Sequence, residues 1–114
     1  MKRLNNVVGA IGELDAQKFL QSKKYKILEK NYKNMLGEID IIALQGKTVV
    51  FVEVKHRSTL AFGRPAESVT PQKQRKTRLT AEAYLQKKKL FDSPCRFDVI
   101  EVVGDHINHI ENAF

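Results

Sequence analysis

The chain has little that would place it outside the cell, across a membrane or in several domains. Its single cysteine, Cys95, cannot form an internal disulfide, and a cytoplasmic location is the default expectation. Nothing near Cys95 in sequence would activate its thiol, so it reads as structural. No apolar run approaches the length of a membrane span. The basic start, Met1-Lys2-Arg3-Leu4-Asn5-Asn6, lacks the hydrophobic stretch of a secretory signal, so no membrane partner is expected. There is no repeat, no low-complexity segment and no linker able to divide the chain, so residues 1–114 read as one domain with a modest core. The three tyrosines are too few to argue for base stacking.

Acidic residues are also in short supply. Asp and Glu number 13 against 20 Lys and Arg, which leaves a net charge of +7 and favours a polyanionic partner, nucleic acid being the commonest. The cations are clustered: Lys23, Lys24, Lys26, Lys30 and Lys33; then Lys73, Arg75, Lys76 and Arg78; then Lys87-Lys88-Lys89. Contacts of this kind set affinity and salt dependence and do not read sequence.

What is present and unusual is a set of charges inside apolar strand-like runs. Gly37-Glu38-Ile39-Asp40-Ile41-Ile42 carries one carboxylate, and Val50-Phe51-Val52-Glu53-Val54-Lys55 carries a carboxylate and a lysine. Charges in such runs are costly unless paired, hydrogen-bonded or bound to a metal. Ile39–Leu44 and Thr48–Lys55 are rich in β-branched residues and read as two strands of a hairpin. With Gly46-Lys47 as a two-residue turn, glycine first, a type II′ geometry is favoured. Asp40 then lies opposite Glu53, with β-carbons about 4.5–5.5 Å apart, and Lys55 shares their face. A three-residue turn would instead put Asp40 on the other face. Two ionised carboxylates so close need a shared proton, a lysine or a cation. A hard divalent cation suits them, since Mg²⁺ takes one or two carboxylates and fills its shell with water and phosphate oxygens. Lys55 is then placed to orient or deprotonate a water, or to stabilise charge on a phosphate. The alternative is an ordinary ion pair on a solvated sheet face.

A first helix is expected over about Asn6 to Gln21, with an apolar stripe of Ala16, Phe19 and Leu20. Glu13 falls on that stripe, and Gly9 and Gly12 lie on or near it, where small residues permit close approach. Glu13 has a simpler reading as a first-turn glutamate favoured by the helix dipole. Tyr25–Asn31 reads as an edge strand, with a turn over Asn31–Met35. Residues His56–Glu67 read as an irregular loop at the mouth of the site, where Arg57 and Arg64 can meet phosphate. Thr70-Pro71 is an N-cap signal for a helix reaching about Lys89, with Leu79, Ala83 and Leu90, and Tyr84 near them, as a moderate apolar face. Gln72 and Lys73 sit in its first turn and Arg75 and Lys76 follow, either contacting phosphate or simply solvated. Arg96–Val103 and His106–Glu111 complete the strands. Asp98 is read either as a supporting partner of the site or, preferably, as a structural group paired with a lysine, and His56 points away from Lys55. The order α-β-β-β-α-β-β predicts an α/β fold with a mixed sheet, the long helix joining parallel neighbours.

The residues resemble a known pattern. Glu13, then Asp40, then Glu53-Val54-Lys55 is similar to the PD-(D/E)xK nuclease superfamily, among whose members archaeal Holliday-junction resolvases are nearest in arrangement. Ile39 stands where the superfamily motif has proline. Along nearly its whole length the chain also resembles the bacterial YraN family. The matching segments are Gly9-Ala10-Ile11-Gly12-Glu13, Gly37-Glu38-Ile39-Asp40, Phe51-Val52-Glu53-Val54-Lys55, Gly63-Arg64-Pro65, Lys73-Gln74-Arg75-Lys76, Ala83-Tyr84-Leu85 and Arg96-Phe97-Asp98-Val99-Ile100. The resemblance implies a restriction-endonuclease-like mixed β-sheet flanked by helices. It further implies Mg²⁺ or Mn²⁺ at Asp40, Glu53 and the Val54 carbonyl, with Glu13 bound directly or through water, and Lys55 as a catalytic residue. The implied activity is endonucleolytic hydrolysis of branched or structured DNA by a homodimer, with an unidentified protein partner left open. The competing expectation is a non-catalytic nucleic-acid-binding module on the same fold.

Overall fold

The computed structural model describes the backbone of residues 2–57 and 69–114 and the side chains of residues 12–56 and 69–114. Its elements are α1 (Lys2–Ser22), β1 (Lys26–Asn34), β2 (Gly37–Gln45), β3 (Thr48–Arg57), α2 (Pro71–Lys87), β4 (Cys95–Val103) and β5 (His106–Ile110). The five strands form one sheet in the order β1-β2-β3-β4-β5. All neighbours are antiparallel except β3 and β4, which are parallel and connected through α2. The expected α/β architecture, a mixed sheet with helices against it, is therefore the one observed. Among the described residues no helix is long and apolar enough to cross a membrane.

The hairpin turns as its glycine predicts. Gly46 has φ +60° and Lys47 is not in the positive-φ region, the sign pattern of a type II′ turn. Gln45 pairs with Thr48, and the register runs unbroken from there to Ile41–Val52. The β1–β2 turn is shorter than expected. Asn31 to Asn34 belong to β1, because the Asn34 side-chain oxygen accepts the amide protons of Leu36 (2.8 Å) and Gly37 (3.2 Å) and closes the turn over two residues.

The sheet buries both faces. On one, α1 packs Ala16 and Leu20 against Ile41, Ala43, Val50, Val52, Ile100 and Val102. On the other, α2 packs Ala81 and Tyr84 against Ile39, Ile42, Val49, Phe51 and Phe97. Phe51 stacks on Phe97 at 5.3 Å, and Tyr84 meets Phe51 and Tyr32 edge-on at 6.2 and 5.0 Å.

Helix α2 uses only part of the apolar face expected of it: Tyr84 is buried, and Leu90, just past the helix end, packs against the same core. Its buried residues are Thr77, Thr80, Ala81 and Tyr84, while Leu79 is exposed. Close approach decides this: a Cβ on Gly37 would sit 2.9 Å from Thr80 Oγ1, so only small side chains fit between helix and β2. The Thr80 hydroxyl donates to its own helix at the Lys76 carbonyl (2.8 Å), which removes the cost of burying it. The helix starts as its sequence indicates, Thr70 Oγ1 accepting the Lys73 amide proton at 3.1 Å, with Pro71 first in the helix.

Asp98 is fully buried in a structural role, but its partners are an arginine and a histidine and not the lysine expected. Arg96 Nε donates to both its oxygens (3.0 and 3.2 Å), His109 Nε2 lies 2.7 Å away, and the Asn112 amide donates at 3.1 Å. Burial alone would raise the Asp98 pKa, but the bonds from His109, Arg96 and Asn112 outweigh it and hold the carboxyl below its ordinary value. Cys95 is free and exposed.

Candidate carboxylate site

The site forms where β2 and β3 part. Beyond Ile41–Val52 the two strands no longer pair, while β3 continues alongside β4 as far as Arg57–Val103. Side-chain alternation on β2 breaks at the same place, since Ile39 packs in the α2 core and Ile41 in the α1 core. Asp40, between them, turns toward β3, and its Oδ2 accepts the Val54 amide proton at 2.8 Å. On the β1 side, Asn31 lies between the pairs Lys30–Ile41 and Tyr32–Ile39 and has φ +50°. Both irregularities bring polar groups to one point of an otherwise apolar sheet.

Four residues singled out from sequence meet here. Burial first, then the charge of Glu53, push the Asp40 carboxyl up to about 6. Glu13 approaches from α1. Burial raises its pKa, the nearby Asp40 raises it further, and the Asn31 amide opposes the shift. Glu13 lies well inside a helix that begins at Lys2, so a first-turn dipole does not explain it. Its approach depends on Gly12, where a Cβ would come within 3.2 Å of the His56 ring on β3. His56 thus faces α1, as expected, and Lys55 faces the other way. Lys55 Nζ lies 3.5 Å from Glu53 Oε1, and Lys73 Nζ, from the first turn of α2, lies 3.8 Å from the same oxygen. The Glu53 side chain is only 11% exposed.

Three residues were not predicted in these positions. Lys73 was expected to touch phosphate, and it also reaches Glu53, a contact that depends on how α2 packs and has no local sequence signal. Glu101 is a further carboxylate, fully buried on β4 and opposite Lys55 in the parallel register. Its signal was available, because Val99-Ile100-Glu101-Val102 has the same form as the runs holding Asp40 and Glu53. Asn31 was read only as the junction between the edge strand and the turn that follows it.

Of the remaining expected phosphate contacts, Gln72, Arg75 and Lys76 are exposed on α2. The Arg57 side chain and the whole of Arg64, with the segment around Phe62 and Gly63-Arg64-Pro65, lie outside the described residues. Arg78 is not directed at the site, since its guanidinium lies over the Phe97 and Phe114 rings at 4.9 and 5.9 Å. Lys88 pairs with Glu29 at 4.0 Å.

Hard, partly buried oxygen donors that repel one another suit a hard divalent cation, which would relieve the repulsion now raising Asp40. Asp40, Glu53 and the Val54 carbonyl are the residues that would hold it, with Glu13 alongside. Among the described residues no three His, Cys, Asp or Glu side chains are drawn tightly enough together to chelate an ion by themselves. Two carboxylates and a main-chain carbonyl are donors of the kind a hard cation such as Mg²⁺ takes, with water or phosphate oxygens completing its shell.

Comparison with known proteins gives the same relationship along nearly the whole chain. A UPF0102 protein of Clostridioides difficile is 50% identical over 112 residues, covering 96% of this chain and 98% of its own length. A UPF0102 protein of Alkaliphilus oremlandii is 48% identical over 117 residues, covering 97% and 100%, and one of Geotalea uraniireducens is 48% identical over 115 residues, covering 96% and 91%. The model of the family described as "Uncharacterised protein family UPF0102" matches residues 12–102, a span running from Gly12 beside Glu13 to the end of the buried part of β4. The chain therefore belongs to UPF0102, the YraN-like family.

Proposed function

We propose that the protein is a metal-dependent endonuclease that hydrolyses phosphodiester bonds in branched or structured DNA. The observation that carries this reading is the meeting of Asp40, Glu53, Lys55 and Glu13 where β2 and β3 part, with Asp40 raised to about 6 by burial and by Glu53. Hydrolysis adds water across one P–O bond: the water oxygen bonds to phosphorus, the sugar oxygen leaves, and a proton passes to the leaving oxygen. When bound, Mg²⁺ or Mn²⁺ supplies Lewis acidity at the phosphate and lowers the pKa of a water. Asp40 and Glu53 provide the anionic oxygens that hold it, and the Val54 amide fixes Asp40 in orientation. Lys55 shares Glu53 with Lys73, so one ammonium can orient the water or offset charge on the phosphoryl oxygens while the other meets the substrate phosphate. The net charge of +7 supports a polyanionic substrate. A homodimer, one site per strand, is the assembly proposed with this activity, and a partner protein that delivers the substrate is compatible with it.

A non-catalytic nucleic-acid-binding module is the second reading. It is favoured by the two lysines that already neutralise Glu53 and by the lack of a closed three-ligand set among the described residues. One panel separates the two. Labelled junction, flap, single-stranded, duplex and RNA probes are incubated with Mg²⁺, Mn²⁺ or chelator, beside the Glu53→Gln protein. Metal-dependent cleavage lost in the variant establishes the nuclease. Binding without cleavage under every metal condition favours the module, or a nuclease that needs a partner protein to supply its substrate.

A further inference from the structure

A groove of about 380 Å³ opens beside the carboxylate site, between the β1–β2 turn and the first two turns of α2. Lys33, Lys73 and Lys76 line it, together with Met35, Leu36 and Glu38. Among the described residues Glu38 is the only acidic one lining it, and it lies 3.7 Å from Lys33, so the described lining keeps a cationic balance. The apolar part is unusual. Met35 is fully exposed at 103% and Leu36 is 48% exposed, at the tip of a turn where solvent would favour polar residues.

The tip is also held in place. Asn34 Oδ1 accepts the Leu36 and Gly37 amide protons (2.8 and 3.2 Å), and Gly37 rests against Thr80 of α2. A fixed apolar tip beside cations suits a ligand with a flat apolar part joined to an anionic chain. Lys73 belongs to the groove and to the carboxylate site, 3.8 Å from Glu53, so a chain lying in the groove leads directly to that site. We infer that the groove receives an unpaired single-stranded arm of DNA. One base packs on Met35 and Leu36, and the adjoining phosphates lie along Lys33, Lys76 and Lys73. Away from its ends a paired duplex has every base face stacked, so the groove favours DNA in which a strand departs from the helix. This rests on the nuclease reading above and gives it a basis for preferring branched substrates.

The test uses fluorescence anisotropy with the Glu53→Gln protein in Mg²⁺, at one fixed salt concentration. Three labelled DNA probes are compared: a blunt duplex, a duplex with one single-stranded arm, and the single strand alone. The armed duplex is expected to bind roughly fivefold more tightly than the blunt one, no more than the low end of what a base gains on an aromatic side chain, since Met35 and Leu36 are aliphatic. Met35→Ser combined with Leu36→Ser is expected to abolish that preference while duplex affinity stays within about twofold. Met35→Phe is expected to keep or enlarge it. Both residues are exposed, so the fold tolerates these changes, and thermal unfolding checks it. Equal preference in wild-type and doubly substituted tips overturns the groove assignment and leaves the nuclease reading intact. No binding to any probe by the protein with its native tip overturns both.

Discussion

The Asp40 carboxylate accepts the Val54 amide proton at 2.8 Å, just past the last β2–β3 pair, Ile41–Val52. A side chain thus serves the main chain where the strands separate, and the same side chain stands against Glu53. The hydrogen bond and the repulsion act on one group, which makes them separable by substitution.

Asp40→Asn keeps an acceptor for Val54 and removes the charge. The folded-state pKa of about 6 lies above the ordinary 3.8. The folded state therefore holds its proton more tightly, and stability is lost as pH rises from the unfolded pKa through about 6. Above that range the ionised Asp40 costs on the order of 2–3 kcal/mol. In urea titrations at about pH 8, without divalent ions, Asp40→Asn is expected to be more stable than the unsubstituted protein by about that amount, the difference shrinking at about pH 4.5. A difference that does not change with pH contradicts the raised pKa assigned to Asp40, of which burial is the larger cause and the Glu53 charge the next. Asp40→Ala, with no acceptor, is expected to gain about 1–2 kcal/mol less than Asn.

A divalent cation at this site must displace the Asp40 proton. Mg²⁺ or Mn²⁺ is expected to raise the melting temperature more at about pH 8 than at about pH 5, and to release protons near the lower pH. Glu53→Gln is expected to abolish the effect. A thermal shift retained in that variant places the ion elsewhere.

Lys55 and Lys73 contact the same oxygen of Glu53 but come from different elements. Lys55→Met is expected to lower the cleavage rate constant by about 10²–10³-fold with little change in affinity, as for loss of a group that acts on the developing charge. Lys73→Met is expected to weaken DNA binding and to reduce the steepness of its salt dependence by about one ion. Rates from single-turnover cleavage and affinities from anisotropy distinguish the two, and interchanged phenotypes refute the assignment.

Away from the site, Asp98 is the buried partner of Arg96 and His109. Asp98→Ala leaves the half-buried guanidinium without its main acceptor and is expected to cost about 3–5 kcal/mol. The folded pKa of Asp98 is depressed, so its contribution is present above the unfolded pKa and is lost as pH falls toward the lowered folded value. Whatever fraction of the variant remains folded is expected to cut DNA at the ordinary specific rate.

Gly37→Ala places a methyl group 2.9 Å from Thr80 Oγ1 and is expected to cost about 1–3 kcal/mol, read as a shift in urea midpoint. Adding Thr80→Ala is expected to recover much of the loss. No recovery means that the clash is with the backbone.

Much of this was legible in the chain itself, because the deciding interactions are local. A glycine-first turn fixes the hairpin register, and Gln45 to Thr48 carries that register to Ile41–Val52 without help from elsewhere. Charges in apolar strands mark Asp40 and Glu53 by the cost of burying them, and Glu101 carried the same mark. Thr70-Pro71 starts α2 by capping. The tertiary structure alone decided which face of α2 is buried, since that depends on the space left beside Gly37. It alone also decided that Lys73 reaches Glu53, that Gly12 brings Glu13 to Asp40, and that Asp40 leaves its face to take the Val54 amide. Those outcomes join residues far apart in the chain, and side-chain spacing along one element carries no information about where another element will pack against it.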